Sequence, residues 1–322
     1  MRGLTREPMR ETLVIALGGN SITRPGEPGT IPQQFEHTAE TLNHLAPLFH
    51  TGARIAITHG NGPQIGNILI RVEEGERRVP RLPLDTCVSD SQGGMGYMIQ
   101  RVACELFRRE NLRRTAATII TQVLVNEGDP EMVDPSKPIG RFYGADEIVG
   151  IRAERPHWEM RELEPGRWRR VVASPRPLRI IESDAIACLL DAGIVVIAAG
   201  GGGIPVAWDG PKLVGVEGVI DKDLVSSLLA RDLHAQKLII VTSVDRVAVR
   251  YGSPRQRWLD TVSVEQAREY LAAGEFPAGS MGPKIEAAIE FVSQGGEECI
   301  ITSTERVAEA VKGPAGTHIV AS

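Results

Sequence analysis

Three lysines and three runs of glycine hold most of the chemistry open to this sequence. Lys137 stands in KPIG, Lys222 in VIDKD between Asp221 and Asp223, and Lys284 in GSMGPK. Lys222 and Lys284 both sit where a helical pattern begins. An ammonium on a flexible stem suits a phosphoryl group passing between donor and acceptor. The glycines run as Gly18-Gly19-Asn20, His59-Gly60-Asn61-Gly62 and Gly200-Gly201-Gly202-Gly203, each after an apolar stretch. Lacking Cβ, such peptides bring their N–H groups close to an anion, and a following helix adds its positive end. Phosphate or carboxylate is the ligand this favours. Taken singly, each glycine run also reads as a tight strand-to-helix turn, and each lysine as a solvated surface charge.

Buried parallel strands alternating with helices must position these residues. LVIAL at Leu13–Leu17 and RIAIT at Arg54–Thr58 are continuous apolar strands. Between them a helical period starts near Gln33 and stops before Gly52, the position of a left-handed cap. Pro63 suits the first turn of the next helix. Further on, the pattern predicts helices over Ser91 to Glu110, Ser183–Ala192, Asp223–Leu233 and Pro283–Ser293. A capping box at Ser263 and Gln266 opens one more, ending at Gly274. Strands are expected at Ala116–Gln122, Ile194–Ala199, Leu238–Thr242, Cys299–Thr302 and Thr317–Val320. In such a sheet ligands bind beyond the carboxyl ends of the strands, where all three glycine runs fall. Residues 126–177 break the rhythm and read as an inserted subdomain or lid.

Composition narrows the class. A hydrophobic share of 42% supports a sizeable core in 322 residues, and a net charge of −5 without a basic stripe argues against a nucleic-acid binder. No apolar run is long enough for a membrane span, and MRGLTREPMRET has no secretory apolar core, so a cytoplasmic protein is expected. Cys87, Cys104, Cys188 and Cys299 form no CxxC pair, and the seven histidines show no ligand spacing. Reduced, mostly buried thiols and no structural metal are expected. GxxxxGK[ST], HRD, DFG, GxGxxG and GxSxG are all missing, which excludes the P-loop, protein-kinase, dinucleotide-Rossmann and usual α/β-hydrolase readings.

The motifs, taken together, resemble the carbamate kinases of the amino acid kinase superfamily. ALGGN (Ala16–Asn20), THGNGPQIGN (Thr58–Asn67), PLDTC (Pro83–Cys87), SQGGMGY (Ser91–Tyr97), KPIG (Lys137–Gly140), WRRVVASPRP (Trp168–Pro177), GGGGIPV (Gly200–Val206), GVEGVIDKD (Gly215–Asp223) and PAGSMGPKIEAA (Pro277–Ala288) follow the family order across nearly the whole chain. The resemblance implies an α/β fold, a three-layer αβα sandwich around a mainly parallel sheet. It implies one domain over 1–322 with a protruding lid at 126–177, and a homodimer. The implied reaction is reversible transfer between ATP and carbamate, giving ADP and carbamoyl phosphate, with Mg²⁺ carried by the nucleotide and no protein-bound metal. In fermenting members the flux runs toward ATP, at the end of arginine or purine catabolism.

The resemblance also implies roles. Gly18, Gly19 and Asn20 cradle the transferred group, while Gly60 and Asn61 hold carbamate, with Gly200, Gly201 and Gly202 near its crevice. Lys137 reaches in from the lid, and Lys222 stabilises the moving phosphate with Asp221 as its orienting carboxylate. Lys284, Met281 and Gly282 meet the nucleotide phosphates, and Ser243 and Val244 lead into the nucleoside wall. His59 is expected to be structural. Ser21, Val88-Ser89-Asp90 and Ala173 depart from the family pattern, and Asp90 is expected to add a carboxylate near the acceptor pocket. A superfamily kinase for another small carboxylate, and a non-catalytic nucleotide sensor, are the competing readings.

Overall fold

Thr12 to Leu17 is apolar after its first residue because both faces of the strand it forms are covered. In the computed structural model, which describes residues 10–24, 26–277 and 279–322, this segment is buried at every position. Leu13, Ile15 and Leu17 join one core layer, and Val14 and Ala16 the other, as the two-residue period of a strand requires. The first nine residues, Pro25 and Ala278, which include most of the N-terminal stretch weighed above for a signal, lie outside the described residues.

The first half of the chain supplies β1 (Thr12–Leu17), α1 (Ile31–Phe49), β2 (Arg54–His59), α2 (Gly62–Gly75), α3 (Leu84–Arg109), β3 (Ala116–Thr118) and β4 (Gln122–Val125). An inserted stretch follows with β5 (Lys137–Gly144), α4 (Ile148–Glu154), β6 (Glu159–Glu164) and β7 (Arg167–Val172). The chain returns through β8 (Pro177–Ile180), α5 (Ser183–Asp191), β9 (Val195–Ile197), β10 (Ile204–Asp209), β11 (Lys212–Gly215), α6 (Lys222–Asp232) and β12 (Lys237–Thr242). It closes with β13 (Ala248–Val249), β14 (Arg257–Trp258), β15 (Thr261–Ser263), α7 (Val264–Ala272), α8 (Met281–Ser293), β16 (Glu298–Ser303), α9 (Val307–Lys312) and β17 (Thr317–Val320).

Eight strands form the main sheet in the order β15-β17-β16-β12-β1-β2-β9-β3. Every pairing in it is parallel except β16 with β17. Helices α1, α3 and α9 cover one face, and α5, α6, α7 and α8 the other, which makes the expected three layers. The predicted capping box at Ser263 and Gln266 is present, and Gly52, Gly193, Gly274 and Gly295 all have positive φ just past helix ends. β5, β7 and β6 form a separate antiparallel sheet, whose own small core is Tyr143, Ile148, Trp158 and Met160.

Three expectations need correction. The helix expected from Ser91 begins at Leu84, after Pro83, so the Ser91–Tyr97 motif lies inside α3. Glycine is required there at Gly96, where a Cβ would come within 2.2 Å of the Thr118 methyl. The strand expected over Ala116–Gln122 splits between β3 and β4, which belong to different sheets. Thr121 makes the crossing: its N–H donates to Gln92 Oε1 at 2.8 Å, and its hydroxyl accepts from Ala199 N at 2.8 Å. Finally, only Cys87 and Cys299 are buried, whereas Cys104 and Cys188 are exposed on α3 and α5.

At the amino-terminal end of the sheet, His318 gives the fold a pH dependence. Its Nδ1 faces Glu298 Oε1 at 2.6 Å and its Nε2 faces the Ala315 carbonyl at 2.8 Å. Two acceptors require two N–H donors, so the ring is an imidazolium. The hydrogen bond to Glu298 raises its pKa above the ordinary 6.5, against the opposing effect of burial. A raised folded-state pKa gives stability that is complete below the unfolded value and fades as pH rises through the folded one. The stability lost in His318→Gln, measured by urea unfolding, should therefore be largest at about pH 6 and shrink toward pH 9.

Candidate active site

The carboxyl ends of β1, β2 and β12 open onto a crevice, because the residues that follow them turn instead of pairing. Gly18 leaves β1 by donating its N–H to Val241 O at 3.0 Å, an approach a Cβ would block at 2.8 Å from that oxygen. Gly60 leaves β2 next to Gly19 N and the Lys222 stem, each 3.4 Å from where its Cβ would lie. Asn61 then starts α2. The glycine run after β9 packs behind Asn61. Cβ atoms at Gly200, Gly201, Gly202 and Gly203 would lie 2.4 Å from His59 Nε2, 2.1 Å from Asn61 Nδ2, 2.1 Å from Ile220 O and 2.3 Å from a Val123 methyl respectively. Gly201 lines the crevice, while Gly200 and Gly202 are buried behind it. His59 is fully enclosed, and burial lowers its pKa to about 4, which makes it a neutral packing group as expected.

Three cavities meet here. One of about 710 Å³ is lined by Gly60, Asn61, Gly201, Lys137, Asp221, Lys222 and Lys284. A second, about 660 Å³, is lined by Gly18, Gly19, Thr242, Ser243, Ser280 and the same Lys222 and Lys284. A third, about 230 Å³, holds Ser243, Val244, Tyr251, Trp258, Phe276 and Met281, and it too reaches Lys284. Lys284 borders all three, and Lys222 the first two. Gly282 is buried at the start of α8, where a Cβ would meet Pro277 O at 3.2 Å. The side chain of Asn20 lies outside the described residues. Asp90 is exposed on α3 and lines none of the three cavities, which corrects the extra acceptor-side carboxylate expected there.

The carboxylate that organises the lysines is not the one expected. Asp221 caps α6, its Oδ1 accepting Asp223 N–H at 2.9 Å, and its Oδ2 takes Lys137 Nζ at 3.1 Å. Asp223 instead binds Lys222 Nζ at 2.5 Å through one oxygen and Lys284 Nζ at 3.0 Å through the other. Its side chain is only 4% exposed. Burial pushes its pKa up, but the two ammonium groups outweigh that and hold it below the usual carboxylate range. Asp223 therefore stays an anion that fixes two cations from different helices. Sequence did contain a signal for this. Aspartate is a favoured N-cap, which commits Asp221 to the backbone of α6 and leaves Asp223 for Lys222. Arg169 was also missed: its half-buried guanidinium lines the first cavity and donates to Gly140 O at 2.8 Å.

A parallel sheet with converging ammonium groups beyond its strand ends defines a phosphotransferase site. The chain belongs to the amino acid kinase family, whose model matches residues 11–303. It is 41% identical over 313 residues to a carbamate kinase of Pyrococcus horikoshii, covering 97% of this chain and 99% of that one. It is 43% identical over 311 residues to a carbamate kinase of Halobacterium salinarum, covering 95% and 97%. Among solved structures, carbamate kinase from Giardia lamblia bound to AMP-PNP superposes with a TM-score of 0.92 at 37% identity, over 97% of this chain and 98% of that one.

Proposed function

We propose that this protein is a carbamate kinase that transfers the γ-phosphoryl group of ATP to carbamate, reversibly, giving ADP and carbamoyl phosphate. The observation that carries the reading is the placement of Lys222 and Lys284, held by one buried carboxylate where the cavities meet. Near-full-length similarity to named carbamate kinases supports it.

In this reading carbamate lies in the first cavity against Gly60, Asn61 and Gly201. The triphosphate lies in the second, over Gly18 and Gly19 with the Asn20 backbone, and the nucleoside in the third, between Ser243-Val244 and Met281. A carbamate oxygen, already anionic, attacks the γ-phosphorus as the bond to the ADP oxygen breaks, so no general base is needed. Lys222 follows the transferring group, Lys284 holds the donor phosphates and Lys137 covers charge from the inserted sheet. Positioning and charge compensation do the work. Asp221 and Asp223 are already committed to lysines and a backbone N–H, so the nucleotide's own oxygens are left to carry Mg²⁺, which screens phosphate charge when bound.

Residues 126–177 act in this proposal as a lid that carries Lys137 to the acceptor cavity, where its Nζ meets Asp221. No described helix is long and apolar enough to cross a membrane, and the enzyme is proposed to work in the cytoplasm. A homodimer through the outer face of α3 is also proposed. Gly93 and Gly94 are exposed there with nothing within 4 Å of where a Cβ would lie, beside Tyr97 at 60% exposure. Mid-helix glycine weakens a helix by roughly 0.5–1 kcal/mol against alanine, a cost that close approach of a second copy explains.

A cavity of about 710 Å³ leaves room for an acceptor larger than carbamate, and another small carboxylate is the second reading. Purified protein given ADP, Mg²⁺ and carbamoyl phosphate should form ATP in a coupled assay. No ATP under those conditions would exclude carbamate as the acceptor.

A further inference from the structure

We propose that Ser91 sets acceptor choice by fixing which way the Asn61 amide faces, so that Asn61 Oδ1 accepts an N–H from the carbamoyl group. This rests on the carbamate reading above and identifies what distinguishes that substrate from a plain carboxylate of the same shape.

Three observations lead to it. Asn61 occupies the N-cap position of α2, where asparagine normally caps with its side-chain oxygen, yet it makes no such bond. The amide is turned toward α3 instead, with Nδ2 donating to Ser91 Oγ at 2.9 Å. Ser91 is 2% exposed, and its hydroxyl proton goes to Val88 O at 2.7 Å. A hydroxyl has one proton. With that proton on the Val88 carbonyl, Ser91 can only accept from Asn61, and the atom facing it must be the amide nitrogen.

The orientation is thus dictated by hydrogen-bond supply, and it leaves the oxygen uncommitted. Asn61 Oδ1 accepts from no described residue and is not among the buried unpartnered atoms, so it opens to the cavity that Asn61 lines. The amide packs directly against the Gly201 backbone, where a Cβ would strike all three amide atoms. Around an anionic substrate the cavity offers Lys137, Lys222, Lys284 and Arg169 as donors, while its carboxylates Glu27, Asp221 and Asp223 are already engaged by His37 and the lysines. An acceptor among them has a use only if the substrate also brings a donor. Carbamate and carbamoyl phosphate bring an NH₂ group where acetate and acetyl phosphate have a methyl. A bound methyl group covers Asn61 Oδ1 and leaves it unpaired, which costs more than a hydrogen bond gains and is the basis of strong discrimination.

Ser91 is a positioning residue, and its test separates recognition of the NH₂ group from general damage. The KM for carbamoyl phosphate is measured in ATP synthesis from ADP, with acetyl phosphate as a competitor whose Ki is measured alongside. Ser91→Ala and Ser91→Cys should raise that KM about tenfold, the scale of one hydrogen bond, with kcat and the acetyl phosphate Ki both within about twofold. Ser91→Thr, which keeps the hydroxyl, should restore the wild-type KM. An unchanged KM in both variants, or a KM and Ki that rise together, overturns the assignment. Wild-type protein that forms no ATP from carbamoyl phosphate overturns the parent reading instead.

Discussion

Replacing Lys222 by methionine will lower kcat by about 10²–10³-fold, the usual loss when one preorganised donor to a developing charge is removed. Methionine keeps the length and most of the volume of the stem, which passes 3.4 Å from where a Cβ on Gly60 would lie, and removes the ammonium alone. The loss should appear in kcat more than in KM, because Lys222 borders both the acceptor and the phosphate cavity and meets the group in transit. Steady-state rates in the coupled assay read it directly. Retention of more than about a tenth of wild-type kcat would remove Lys222 from the charge-stabilising role, given the size of such effects.

Asp223→Asn is expected to damage both rate and stability. The carboxylate is buried between Lys222 and Lys284, which are themselves only 14% and 15% exposed. Asparagine leaves two enclosed ammonium groups with one neutral partner. Breaking a buried ion pair from one side typically costs about 3–5 kcal/mol, since an uncompensated charge remains. Urea unfolding near neutral pH should show a loss of that order, and activity should fall at least as far as in the lysine variant. Saturating nucleotide should recover part of the stability, because phosphates then neutralise both lysines. A stable Asp223→Asn protein of wild-type rate would mean that the two lysines are positioned by their helices alone.

Most of the main sheet was legible because buried parallel strands are apolar without interruption. Leu13–Leu17, Leu238–Thr242 and Cys299–Thr302 were found within one residue at each end. What stayed hidden depended on contacts distant in sequence. Nothing local says that Thr121 will donate to Gln92 and so divert the chain after β3 into a second sheet as β4. Nor does the pattern Ser-Gln-Gly-Gly announce a helix interior, since mid-helix glycine is normally a breaker; Gly96 is tolerated because Thr118 leaves no room for a side chain. In the site, the lysines were found from their glycine-rich contexts. The choice between Asp221 and Asp223 turned on capping geometry, and Arg169 on the folding of β7 toward the crevice.

The glycine run behind Asn61 also says where this pocket can be remodelled. None of its four positions has space for even a methyl group, and each would collide with a different neighbour: a histidine, an amide, a main-chain carbonyl and a valine. That wall is closed to redesign. The inserted sheet lines the same cavity with the exposed Arg141 and the half-buried Arg169, whereas Ile139 between them and the core is itself buried. Anyone seeking to admit a larger acceptor should randomise those two arginines and leave the glycines and Ile139 untouched.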